Sequence, residues 1–158
     1  MKLLKLAVVA MALVSGSAVL AFGQSAEPWL GTWKVNLAKS TYNPGPKPTT
    51  AQTAKLEAVQ GGFKAPFDGV DAKGQPRINR PPAILDGKDY PNPGQPNSTH
   101  SFTRIDSRSY ERSVREDGKV TFTARWVASA DGKTLTVTQK GKNPQVQTVS
   151  NVIVYDKP

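Results

Sequence analysis

Between His100 and Tyr155 polar and apolar residues alternate in five runs separated by short turn signals, and this period of two constrains the fold more than any other feature of the chain. Ser109 to Arg115 sets Tyr110, Arg112 and Val114 on one face and Ser109, Glu111, Ser113 and Arg115 on the other. Lys119 to Ala128 repeats the pattern more strongly, with Val120, Phe122, Ala124, Trp126 and Ala128 facing one way and Thr121, Thr123 and Arg125 the other. Thr134 to Thr138 sets Leu135 and Val137 against three threonines. A period of two built from β-branched and aromatic residues marks strands with one face on a core and one in water. Asp117-Gly118 and Asp131-Gly132 fall between the runs, where a tight hairpin needs positive φ. The expected arrangement is an antiparallel meander.

The chain ahead of the meander is less regular. Trp33, Val35 and Leu37 share a parity, as one strand requires. Tyr42 to Pro48 carries three prolines at alternate positions and predicts an extended surface crossing, since each proline removes a ladder donor. Thr50 to Val59 reads as a strand, with a helical turn around Ala54 to Ala58 as the alternative, and Gly61-Gly62 reads as a hairpin into Phe63 to Val70. After the turn at Asp71 to Gly74, the stretch Gln75 to Leu85 holds Pro76, Pro81 and Pro82, so any strand there is an edge or is interrupted. Asp86-Gly87-Lys88 repeats the turn tripeptide of Asp117 to Lys119 and Asp131 to Lys133, without the fixed spacing of a repeat protein. Pro91 to Asn97 is a second proline-rich loop. About eight strands and no long helix result. Such a chain can stack two sheets or close into an up-and-down barrel, and sequential hairpins favour closure because it removes exposed edges. Eight strands leave room for side chains or one small ligand.

The first 23 residues lie outside this pattern. Met1 to Lys5 is a short basic segment, Leu6 to Val14 is apolar and too short to span a bilayer comfortably, and small residues follow up to Gly23. Together they predict a cleavable secretory signal over 1–23, with Ala21 or Ala26 as alternative cleavage points, and a single exported domain over 24–158, periplasmic or extracellular. The chain contains no cysteine, so neither disulfides nor lipid attachment at a cysteine can hold it, and its stability must come from its core. A formal net charge of +9 is spread through turns and outward strand positions without a block of five or six, and two of those charges, Lys2 and Lys5, leave with the signal. The surplus suits a solvated surface or attraction to anionic envelope polymers or lipid headgroups. No nucleic-acid motif is present and no nucleic-acid partner is expected.

At Gly31-Thr32-Trp33 the first strand resembles the opening of the lipocalins and wider calycins, in which the tryptophan plugs one end of the barrel. More broadly, Trp29 to Tyr155 resembles a group of small secreted bacterial lipocalin-like proteins of unassigned function. The stretches that carry the resemblance are Gly31 to Asn36, Ala38 to Ser40, Pro44 to Pro46, Asp68 to Asp71, Asp86 to Pro91, Arg104 to Asp106, Ser129 to Thr134 and Val154 to Lys157. It implies a β-barrel fold and export rather than an activity. The Thr-Asp-Tyr loop motif of lipocalins and the late arginine that covers their tryptophan have no counterpart here.

Chemistry-bearing motifs are sparse. His100 is the one histidine and reads as an exposed polar residue at a strand end, and with no cysteine beside it a zinc site lacks ligands. No Gly-x-Ser-x-Gly setting, phosphate loop or dinucleotide fingerprint occurs. Asp86, Asp89, Asp117 and Asp131 sit in turns, where carboxylates bond the local backbone rather than act as a glycosidase pair. No enzyme activity, cofactor or metal is expected. Arg112 shares its parity with Tyr110 and Val114. On the inside of a barrel it would be a cation among aromatics suited to a ligand carboxylate; on an offset face it would be an ordinary solvated residue. Trp33, Tyr110, Arg112, Phe122 and Trp126 are therefore the candidate ligand-binding residues of an exported barrel that takes a small apolar or amphipathic molecule. The alternative is an envelope interaction module with a solid core and a basic outer face.

Overall fold

The computed structural model describes residues 27–48, 52–65, 67–68, 81–92, 95–143 and 146–158. The expected signal peptide, the Asp71 to Gly74 turn and most of Gln75 to Leu85 lie outside them.

Among the described residues, eleven strands form one antiparallel sheet: β1 (Gly31–Val35), β2 (Thr53–Val59), β3 (Gly62–Lys64), β4 (Phe67–Asp68), β5 (Ala83–Ile84), β6 (Tyr90–Pro91), β7 (Ser98–Asp106), β8 (Ser109–Glu116), β9 (Lys119–Ala128), β10 (Thr134–Lys142) and β11 (Thr148–Asp156). Ten of them follow the order β5-β3-β2-β1-β11-β10-β9-β8-β7-β6, and β4 pairs separately with β2. The count corrects the expected eight. Proline supplies no ladder donor, and where Pro81, Pro82 and Pro91 interrupt the chain the strands shorten to two residues. The sheet curls until its flanks meet: Asp86 bridges Thr103 of β7, and the Gly87 N–H donates to the Phe102 carbonyl at 2.9 Å.

Local chemistry sets the regular half. Asp117 and Gly118 both have positive φ, 48° and 74°, the pair of left-handed residues that a two-residue hairpin matched to strand twist requires. The β7–β8 turn is held by Asp106, whose carboxylate accepts the Arg108 N–H at 2.8 Å. Irregular register between Val114 and Arg115 pairs Arg115 with Val120 instead of with the next residue in step. This reverses the alternation at the start of β9. Val120, expected inside with Phe122, is therefore 52% exposed.

Cross-strand register stacks the inner face into levels. One level joins Val35, Tyr155, Leu135 and Ala128. The next joins Ile153, Val137, Trp126 and Tyr110, and the one after it Asn151, Gln139, Ala124, Arg112 and Phe102. The last joins Val149, Gly141, Phe122, Val114 and His100. At the end holding the first level, Trp29, Trp33, Leu56, Phe63, Tyr110, Ala128 and Leu135 form a buried core. Rings there meet edge to face, Trp29 on Phe63 at 5.3 Å and on Tyr110 at 5.1 Å, in the offset geometry that ring quadrupoles favour.

Candidate functional site

The five residues singled out from the sequence all belong to the barrel wall, and they divide between its two ends. Trp33 is fully buried on β1, its indole N–H donating to the Trp29 carbonyl at 2.8 Å. Lys157 lies over its ring with Nζ 4.8 Å from the centroid. A cation thus covers this tryptophan after all. It is a lysine beyond the last strand, which is why a search for a late arginine missed it. Trp33 is a plug. Tyr110, 1% exposed, sits at the boundary between core and interior, and burial pushes its phenol well above the ordinary value, with the Tyr155 phenol adding in the same direction.

Trp126 stacks on its cross-strand neighbour Tyr110 at 4.8 Å with ring planes 11° apart, and is half-buried. Phe102 lies beyond it at 6.5 Å and His100 beyond Phe102 at 5.6 Å. The aromatics therefore run continuously from the plug to the rim.

Arg112 settles on the inner face. It stands between Phe102 of β7 and the buried Ala124 of β9, with its guanidinium 6.0 Å from the Phe102 ring and donating to the Asn92 amide oxygen at 2.9 Å. Asn92 is itself buried and donates to the Ser98 hydroxyl at 3.1 Å. Its amide also meets the Gln95 side chain. The proline-rich loop between β6 and β7 is thereby tied down beside the cation. Phe122 is half-buried one level nearer the rim, opposite Val114.

Three further residues share this interior. Gln139 and Asn151 face each other across β10 and β11, joined by an amide hydrogen bond of 3.0 Å, and Asn151 also accepts the Asn43 N–H at 2.9 Å. Both occupy the parity of Val137 and Ile153, so a polar residue on an apolar face was the available signal. His100, expected as an exposed residue at a strand end, is half-buried on the inner face opposite Val114, because β7 begins two residues before it. Asn92 carried no such signal, since its role depends on a loop folding back.

The turn carboxylates behave in two ways. Asp86 and Asp131 accept backbone N–H groups from Lys88 at 3.0 Å and Lys133 at 3.1 Å. The Lys88 bond holds Asp86 below the usual carboxylate range, and the Ser129 hydroxyl, followed by the Lys133 N–H, does the same for Asp131. Asp89 instead pairs with Arg115 at 2.8 Å. Outside the barrel, a shallow depression of about 360 Å³ lies between the ends of β1 and β11, lined by Lys34, Asn36, Leu37, Asp156 and Lys157 among others. It contains none of the five candidates.

No protein-family model and no curated protein matches the sequence. Among solved structures, the wild-type fluorescent protein UnaG is similar, with a TM-score of 0.58 over 84% of this chain and 98% of its own, at 16% identity. At that identity the likeness is one of fold alone, an antiparallel β-barrel.

Proposed function

We propose that this calycin-type barrel is an exported, non-enzymatic binding protein whose open half takes a small amphipathic molecule, with the ligand's anionic group at Arg112 and its apolar part against Phe122 and Trp126. The observation that carries the reading is exposure in the wrong place for a solid core. Phe102, Arg112, Phe122, Trp126, Gln139 and Asn151 all point inward, yet each is only half-buried, whereas at the Trp33 end Trp33, Val35, Ala128 and Leu135 are buried and Tyr155 alone of its level is half-buried. Apolar walls with a few convergent polar groups are the usual makeup of a small-molecule site. A guanidinium held in a partly desolvated setting is well matched to a carboxylate. Trp33 and Tyr110 serve this site as the wall behind it.

Native mass spectrometry of the protein purified from its own host without detergent tests the reading. A discrete additional mass released on denaturation is expected. A clean apo mass that persists after incubation with fatty acids, envelope lipids and small aromatic acids overturns it.

A second reading is supported by the outward cations Lys34, Lys55, Lys64, Arg125, Lys140 and Lys142, all exposed. On this reading the outer face attaches to anionic envelope material. Such attachment would dissolve between low and high ionic strength, while burial of a ligand would be nearly independent of salt.

A further inference from the structure

The levels of the inner face limit what the interior can hold. Four residues of strand separate the rim level at Phe122 from Trp126, which is about 14 Å at the usual rise. From the level of Trp126 downward the interior is closed: Tyr110 and Val137 beside Trp126, and Ala128 and Leu135 one level below it, are at most 2% exposed. The accessible part is therefore a shallow cup rather than a tunnel. At its bottom stands Trp126, stacked side by side with its cross-strand neighbour Tyr110, and an aromatic wall of this kind accepts a flat ring more readily than a flexible chain. One level above Trp126 the wall turns polar, with Arg112 and Gln139 on either side of Ala124 and Asn151 beyond. Above the polar level it is apolar again, at Val114, Phe122 and Val149.

Resting on the interior-binding reading above, we propose that the ligand is a compact aromatic carboxylate: its ring lies on Trp126 under Phe122, and its carboxylate is held at Arg112 with the Gln139 amide on the opposite side. A long-chain fatty acid fits this wall poorly. Extended, it is longer than the cup is deep and must leave part of its tail in water, and its polar group, at one end of a long apolar body, meets the polar level only if that body is left above the rim. The polar level at mid-depth instead suits a molecule whose charge is one short step from a ring.

The test is calorimetric titration of the purified protein with 1-naphthoate, with uncharged 1-naphthamide and with palmitate, followed also by tryptophan fluorescence. Naphthoate is expected to bind saturably and naphthamide at least about tenfold more weakly, the loss expected when a charge-assisted hydrogen bond is removed. Palmitate should also bind at least about tenfold more weakly, because its carboxylate reaches the polar level only with much of its tail left in water. Arg112→Met should abolish the difference between naphthoate and naphthamide, and Trp126→Leu should weaken both aromatic probes alike. If Arg112→Met does not fold, the naphthoate–naphthamide pair on the unaltered protein carries the same test. Palmitate binding as tightly as naphthoate would overturn the compact-ring proposal and leave interior binding standing. Equal affinity for naphthoate and naphthamide would overturn the carboxylate assignment alone, and failure of all three probes would overturn both the proposal and the reading it rests on.

Discussion

The two ends of this barrel are built from the same alternating strands but solve different problems. At the Trp33 end large aromatic side chains are packed against partners: Trp33 bonds Trp29, Lys157 covers Trp33, and Phe63 meets Trp29 and Tyr110. A bidentate ion pair closes that end from outside, Arg104 gripping Glu27 at 2.8 and 2.7 Å with its guanidinium 5.9 Å from the Trp29 ring. At the other end aromatic, cationic and amide side chains stand among buried Val114, Ala124 and Val149, and Phe102, Arg112, Phe122, Gln139 and Asn151 are only half-buried. Close packing stabilises a barrel, whereas a binding site needs inner surface left unfilled. The difference teaches that one sheet can divide stability and recognition by level along its axis.

The contrast is sharpest for the tryptophans. Trp33→Ala should cost about 3–5 kcal/mol, since it removes a fully buried ring and leaves a cavity. Trp126→Ala should cost under about 2 kcal/mol, because that ring still touches water. Denaturant unfolding of both variants checks this, and equal losses would mean that the interior is solid to the rim.

Alkali should attack the same boundary. The Tyr110 phenol has a raised pKa in the folded chain, so its neutral form favours folding. That contribution is complete below the unfolded value of about 10 and is lost as pH rises from there through the folded value. Phenolate absorbance recorded alongside circular dichroism should show one tyrosine titrating only as the fold is lost. A Tyr110 that ionises in the intact fold would place the accessible interior deeper than Trp126.

Asn92→Ala should cost about 1–3 kcal/mol, measured by thermal or chemical unfolding, because it strips the Ser98 and Arg112 side chains of a buried partner. Its effect on ligand affinity should exceed that of any substitution at the plug. The smallest change is expected at Glu27→Gln, about 0.5–1 kcal/mol and reduced by salt, since the pair it breaks is part-exposed. A larger loss would make the 27–30 segment a structural closure rather than a trim.

Much of this was legible beforehand. The five strands from β7 to β11 follow from period-two alternation and Asp-Gly turns, and the shared parity of Tyr110, Arg112 and Val114 survives in the structure because the β7–β8 and β8–β9 ladders hold register from Phe102 through Ala124. Gln139 and Asn151 were readable as polar intrusions on an apolar face, though nothing in the sequence said that they face each other. Val120 was misplaced because a register irregularity is a property of two strands, and alternation is a property of one. The first half resisted for a related reason: β4, β5 and β6 are two residues each, too short to show a period of two in sequence.

The sequence by itself determined that the chain is all-β and antiparallel, where its hairpins turn, and that no cysteine holds it together, because each of these depends on residues within a few positions of one another. Tertiary structure alone decided that Lys157 covers Trp33, that Asn92 reaches Arg112, and that the inner face is packed at one end and open to water at the other. Those facts depend on how far the sheet curls and on which levels its strands bring together. Curvature and level are sums over the whole ladder, and no single stretch of sequence contains them.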